Sequence, residues 1–297
     1  MSEANRVRIA IRPTGTSPWT TLRRTGDALT ASAQTVRSDN IRSDRMRDGQ
    51  KVTTITVGGT LDIEFTAAEY DQILAAAMCN AWASDVLTVG TDTVTFDVLK
   101  SYLDSGDHVL MSGMEVSQLQ LTMNAGEKIT GQVTFVGTEA DPDYDPSTDT
   151  FNAPSDALLF DSSNNLSSIL IDGQALSGTC VTGMSLTINN NHAQDQCLGT
   201  LYQRQHKGSC DITGTKTIRM AASAFDLWKN TLTSTPVSSS FTMGDGSDSY
   251  VFAIGAEYLS GDLPSGGLDA ILSVELNSTV ATDSAGEMLT ITRTLAP

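Results

Sequence analysis

The sequence predicts a mainly β protein made of two copies of one unit, a β-sheet carrying a single flanking helix. Three observations lead there. A stretch, GTLDIEFTAAEYDQIL at 59–74, recurs as GTKTIRMAASAFDLWK at 214–229. Apolar and polar residues alternate along most of the remaining segments. Only the repeated stretch turns to helical spacing.

At an offset of 155 Gly59 meets Gly214, Thr60 meets Thr215, Ile63 meets Ile218, Ala67 meets Ala222 and Asp71 meets Asp226. Tyr70 meets Phe225, Phe65 meets Met220 and Ile73 meets Trp228. Each copy reads as a glycine bend, a strand and then an amphipathic helix. Ile55, Val57, Leu61, Ile63 and Phe65 alternate with polar residues, the period of a half-buried strand. Thr66 and Glu69 have capping-box spacing, and Tyr70, Ile73, Leu74, Ala77 and Met78 form one helical stripe. In the second copy Ala221 replaces the threonine, so Ser223 with Asp226 is the expected cap. Downstream, 113–124 lies over 268–279, with Leu119 on Val274 and Gln120 on Glu275, and 101–107 resembles 257–262. A duplication this long is a domain duplication, since solenoid periods run about 20–50 residues.

The elements follow in order. Arg6, Arg8 and Arg12 alternate with Val7, Ile9 and Ile11 in a short strand stopped by Pro13. It suits either an internal edge strand or an arm that adds to a neighbour's sheet. Residues 13–26 are loop-like and 27–36 read as a weak strand. SDNIRSDRMRDGQ (38–50) is a long polar loop with charges of alternating sign, and long loops in compact domains tend to be functional or disordered. Asp39, Ile41, Arg42, Asp44, Arg45, Arg47 and Asp48 are its candidate contact residues.

Phe96 and Val98 mark a further strand, ended by a Ser105-Gly106-Asp107 turn. Residues 115–123 and 128–136 alternate strictly, and Asn124 to Gly126 joins them as a hairpin. Apart from Lys128, their polar face carries no charge. Residues 139–160 hold three prolines and many acids and read as a stiff linker. Asp141, Asp143, Asp145 and Asp149 begin like a calcium loop, but Pro146 stands where glycine is needed and Asn152 where a glutamate is. The expected layout is an N-terminal arm at 1–20, a first domain at 21–138, the linker at 139–160 and a second domain at 161–297.

Composition excludes several functions. The 297 residues carry a net charge of −17. Residues 1–51 hold ten Lys/Arg against five Asp/Glu, and the remainder eight against thirty. A body this acidic does not suit a phosphate-neutralising binder, whereas a basic end on an acidic body favours head-to-tail contact between copies. No apolar run is long enough to span a bilayer, and the first residues lack a signal-peptide core. The four cysteines, Cys79, Cys180, Cys197 and Cys210, have no metal-site spacing and are expected to be free thiols. Nucleotide, serine-hydrolase and zinc-protease motifs are absent, and His108, His192 and His206 stand apart. Asp62 and Glu64 lie two apart on one strand face and do not make a glycosidase pair. Neither an enzyme nor a cofactor site is expected.

Ser38, Ile41, Arg42, Ser43, Asp44 and Arg45, placed just before the strand and helix, resemble the signature loop of a tail tube protein family of long, non-contractile bacteriophage tails. The order of strand, charged loop, strand, capped helix and hairpin resembles that family too, best over 22–138 and less over 176–294. The group of such phages that targets flagella shows a similar pattern. The resemblance implies a β-sandwich or split barrel with one flanking helix, here in tandem. It implies rings that stack into a tube, a tape measure protein and transiently DNA inside it, no membrane partner, and a place in the virion tail after assembly in the host cytoplasm. The loop at 38–50 would reach an adjacent subunit or ring. Arg6, Arg8 and Arg12 would make arm contacts, and Asp62, Glu64, Gln118, Gln120, Thr122, Gln132 and Glu275 would face the lumen. Two units per chain favour three chains per ring, with six chains as the alternative. The second half lacks the charged motif at 189–208. A virion decoration or host-attachment module is the competing reading.

Overall fold

The computed structural model describes residues 3–44 and 46–296. The first repeat comprises β1 (Val7–Pro13), β2 (Trp19–Thr21), β3 (Gly26–Asp27), β4 (Thr30–Arg37), β5 (Gln50–Glu64), helix α1 (Asp71–Ala77), β6 (Val86–Thr88), β7 (Phe96–Tyr102), β8 (Asp107–Asn124) and β9 (Thr130–Gly137). The connecting segment adds β10 (Glu139–Asp141) and β11 (Phe151–Asn152). The second repeat opens with β12 (Leu166–Ile171), β13 (Gln174–Ala175), β14 (Val181–Asn189), β15 (Ala193–Asp195), β16 (Arg204–His206) and β17 (Asp211–Arg219). It closes with helix α2 (Ala222–Thr233), β18 (Val237–Gly244), β19 (Ser249–Ser260), β20 (Ser273–Ala281) and β21 (Leu289–Thr294). The chain is mainly β, each repeat carries one helix, and the sheets do not close into a barrel.

Antiparallel pairing links β4, β5, β9, β8, β14, β17, β20 and β19 in that order. The two repeats therefore join edge to edge, through β8 and β14, into one sheet. In each repeat a long strand bends out of this sheet into a second layer. The first part of β8 pairs with β7, which pairs with β1. The first part of β19 pairs with β18 and β21. Glycine marks both bends. Gly113 has φ +60, and a Cβ there would sit 2.2 Å from the Thr138 hydroxyl, while a Cβ on Gly255 would sit 2.6 Å from Asp283. Only glycine allows such an approach without displacing a neighbour.

The repeat holds over β5–α1 and β17–α2 but shifts afterwards. β8 matches β19, not β20, and β20 takes the place of β9 between the two inner strands. The expected overlay of 113–124 on 268–279 is thus corrected. The cause is length: residues 78–95, holding β6, separate α1 from β7, whereas only residues 234–236 separate α2 from β18. The weaker likeness of 101–107 to 257–262 falls with it, because these turns join different strand pairs.

Three local expectations change as well. Thr66 donates to Glu69 across 3.1 Å rather than capping an amide, and α1 begins only at Asp71. Glu69 is taken instead by the Arg23 backbone amide and guanidinium, each at 2.8 Å. Ser223 donates to the Ser177 carbonyl, so α2 starts from Ala221 without a side-chain cap. Residues 139–160 do not stand off as a connector. Their β10 pairs with β8 and β11 with β2, Phe151 stacks on Trp19, and Phe160 is buried between Phe65 and Ile129.

The main apolar core runs through both repeats, from Ile9 and Phe65 to Phe252 and Ile291. β21 completes it by pairing with β6 of the first repeat. Tyr250 ties the seam. Its ring meets Phe65 edge-on, its hydroxyl donates to Asp71 at 2.6 Å and accepts from the Ala68 amide at 2.8 Å. Arg293 bridges Asp71 and Asp85 on the same seam. A second, smaller core lies under α2, around Ile218, Leu227 and Leu276.

Candidate assembly and lumen surfaces

Strict alternation gives the continuous sheet two unlike faces. Leu61, Ile63, Val133, Leu119, Leu121, Leu186, Ile188 and Leu276 point inward and are buried. The opposite face is polar in every strand. One row crosses the sheet as Asp62, Gln132, Gln120, Thr187, Thr213 and Thr279. The next runs Glu64, Thr130, Thr122, Ser185, Thr215 and Asn277. Gln118 stands opposite Asn189 and Glu275 opposite Thr217. All seven residues expected to share a surface, Asp62, Glu64, Gln118, Gln120, Thr122, Gln132 and Glu275, do share one.

Cross-strand pairs order this face. Gln132 donates to Asp62 at 2.8 Å, and the Ser185 and Thr215 hydroxyls pair at 2.8 Å. Lys128 pairs with Glu64. The face is therefore mainly hydroxyls, amides and carboxylates; its lysine is engaged by a carboxylate, and Arg219 stands exposed on it at the end of β17, opposite Ser273.

The charged loop projects from the hairpin of β4 and β5. Arg42 holds Asp44 through two contacts, 2.9 and 3.1 Å, and Asp48 at 2.6 Å. Hydrogen bonding to Arg42 keeps both carboxyls below the usual carboxylate range and holds the guanidinium above its own. Asp39 and Arg47 are exposed beside this clasp, and Ile41 is fully exposed. Arg45 lies outside the described residues. All of β4 is exposed, and its outer edge pairs with no other strand among the described residues.

The equivalent hairpin loop of the second repeat, 190–210, is occupied. It folds over the first repeat, where the Ile55 amide donates to the Leu201 carbonyl at 2.7 Å. The Tyr202 hydroxyl donates to the Ala140 carbonyl at 2.8 Å, and Gln196 and Gln203 accept from Thr54 and Thr56. Asn190, fully buried, donates to the carbonyls of Ala77 and Val116. His192 meets Glu115 at 2.9 Å.

Arg8 and Arg12 lie on β1, an internal strand paired with β7 and β2, and Arg6 closes the short 3-10 turn just before it. Their partners are within the chain, which corrects the free-arm alternative. Arg6 pairs with Asp104, Arg12 with Asp97 at 3.0 Å, and Arg8 stacks over the Phe151 ring. The apolar alternation of Val7, Ile9 and Ile11 is what draws the strand inward.

The family of phage tail tube proteins matches residues 4–290 of the sequence. The chain belongs to the phage tail tube protein family. No curated relative matches it. This tail tube protein is accordingly a structural component of a bacteriophage virion, sited in the tail, and its family builds tubes by self-assembly.

Sequence reasoning missed two polar clusters of the tail tube protein. One is the seam of Tyr250, Asp71, Arg293 and Asp85; nothing local relates residues so far apart. Burial raises both the Asp71 carboxyl and the Tyr250 hydroxyl above their ordinary values. The other is a buried ion pair, Lys216 with Glu257, at 2.6 and 2.5 Å to the two carboxylate oxygens. Its signal was present: Lys216 occupies the place of Leu61 in the repeat, an inward position.

Proposed function

We propose that this chain polymerises into stacked rings of three copies, forming the tube of a long, non-contractile phage tail through which DNA leaves. The observation that carries this reading is the single sheet shared by both repeats, polar on one face and ending in β4, whose outer edge has no partner strand among the described residues. Three chains would supply six sheet units around a ring. The polar face would line the bore, the tape measure protein would occupy it during assembly, and Arg6, Arg8 and Arg12 would brace the sandwich rather than reach outward. The charged loop with Asp39, Ile41, Arg42, Asp44, Arg45, Arg47 and Asp48 would meet an adjacent copy or ring.

The conduit works passively. DNA carries one charge per ~1.7 Å, and repulsion in physiological salt acts over ~8 Å. Asp62 and Glu275 add negative charge to a face whose lysine is paired and whose Arg219 lies only at the end of β17, so the duplex finds little to hold. Negative-stain microscopy of the purified chain tests the proposal. Tubes whose averaged cross-section has three-fold symmetry support it. Six-fold rings would place the second repeat outside. A monodisperse particle that binds cells would point to a decoration or attachment module.

A further inference from the structure

We infer that the contact between neighbouring chains copies the contact between the two repeats, and that the repeat sets its register to the residue. The inference rests on the ring reading above. Within the chain, β8 of the first repeat pairs with β14 of the second, Gln118 opposite Asn189 and Gln120 opposite Thr187. Each partner has a counterpart left open at the far ends.

The counterparts follow from strand pairing. Asn189 stands opposite Asp211 on β17, and Ser32 stands opposite Thr56 on β5. Thr56 and Asp211 are the same position of the repeat, so Ser32 is the counterpart of Asn189. Gln118 stands opposite Thr134 on β9, which faces Thr60 on β5. Ser260 stands opposite Asn277 on β20, which faces Thr215 on β17. Thr60 and Thr215 are again equivalent, so Ser260 is the counterpart of Gln118. The interchain register is therefore Ser260 of one copy opposite Ser32 of the next. Tyr258 faces Gln34 and Asp262 faces Thr30.

Two independent features agree. The β4 end leaves large apolar side chains in solvent: Val36 on the strand itself, and Ile41 and Met46 on the loop that follows it. The loop at 190–210, counterpart of the charged loop at 38–49, is by contrast folded over the first repeat. Charge agrees too. The β4–β5 hairpin from Arg37 to Lys51 holds five Lys/Arg against three Asp, and it approaches an end bearing Asp262 and Asp269. An eight-residue strand with a bare edge is otherwise an aggregation hazard that proteins cover or break up.

Paired cysteines test the register. Directly opposed residues in an antiparallel pair lie about 4.5–5.5 Å apart, within disulfide reach, whereas a shift of two residues exceeds it. In a Cys180→Ser, Cys197→Ser background, Ser32→Cys with Ser260→Cys is expected to give covalent dimers and trimers on mild oxidation of assembled rings. Ser32→Cys with Tyr258→Cys is expected to give at least tenfold less. Thr30→Cys with Asp262→Cys reads the same register should the first pair fold poorly. Rings that form normally but cross-link at neither in-register pair overturn the register and leave the tube reading intact. A parent chain that forms no rings overturns both.

Discussion

The buried Lys216–Glu257 pair offers the sharpest quantitative test of this architecture. Both side chains are almost wholly buried, and Glu257 lies on β19 immediately before the edge residues Tyr258 and Ser260. At about 4 Å between charge centres and an effective dielectric of 20, attraction is worth about 4 kcal/mol. Desolvation costs several kcal/mol per ion, so the intact pair is near break-even. Removing one partner is different, because the other stays buried and uncompensated at about 3–5 kcal/mol. Glu257→Ala should therefore lower the unfolding free energy by about that much. At about 2 °C per kcal/mol in a chain of this size, the melting temperature falls by about 6–10 °C. The double variant Lys216→Leu, Glu257→Met restores the apolar choice that the first repeat makes at Leu61, and it should match or exceed the parent. Urea denaturation of the unassembled chain, monitored by circular dichroism, measures all three. A single variant that loses less than about 1 kcal/mol, or a double variant as weak as the single, would refute the reasoning.

Further outcomes follow from the same geometry. Reversing Asp62 and Glu64 to lysine should leave tubes intact but slow genome passage; unchanged infectivity with those lysines shown to line the bore counts against a repulsive lumen. Swapping charges at Arg42, Asp44 and Arg45 should abolish polymerisation while the unassembled chain melts as before, and normal tubes would remove the loop from assembly. Burial raises the Asp71 pKa in the fold, so the stability this carboxyl contributes is present below its ordinary pKa of about 3.9 and lost as pH rises through the folded value. The stability of the parent relative to Asp71→Asn should thus decline with rising pH across that window, and an increase in denaturation experiments would reverse the assignment. Gly113→Val should cost about 1–3 kcal/mol through its positive φ and the crowding Thr138, and a variant as stable as the parent by the same melts would show that the bend relaxes freely.

What the amino-acid order determined by itself was local or repetitive. Alternation at 115–123 and 128–136 set which residues share a face, because a strand sends successive side chains to opposite sides. Hence the seven polar residues, read from separate strands, fall on one surface. The self-likeness at 59–74 and 214–229 located both strand-helix units, since identical local preferences act wherever they recur. Exact helix starts escaped, because Glu69 was claimed by Arg23 from the distant loop between β2 and β3.

Tertiary structure alone decided the rest. It chose β8 and β14 as the seam, moved β20 into the place of β9, and folded 139–160 back onto the first repeat. These are choices among edges and partners far apart in sequence. They turn on which apolar surfaces can be buried together, a property of no single segment, and the same competition brought Tyr250 to Asp71 and hid Lys216 against Glu257.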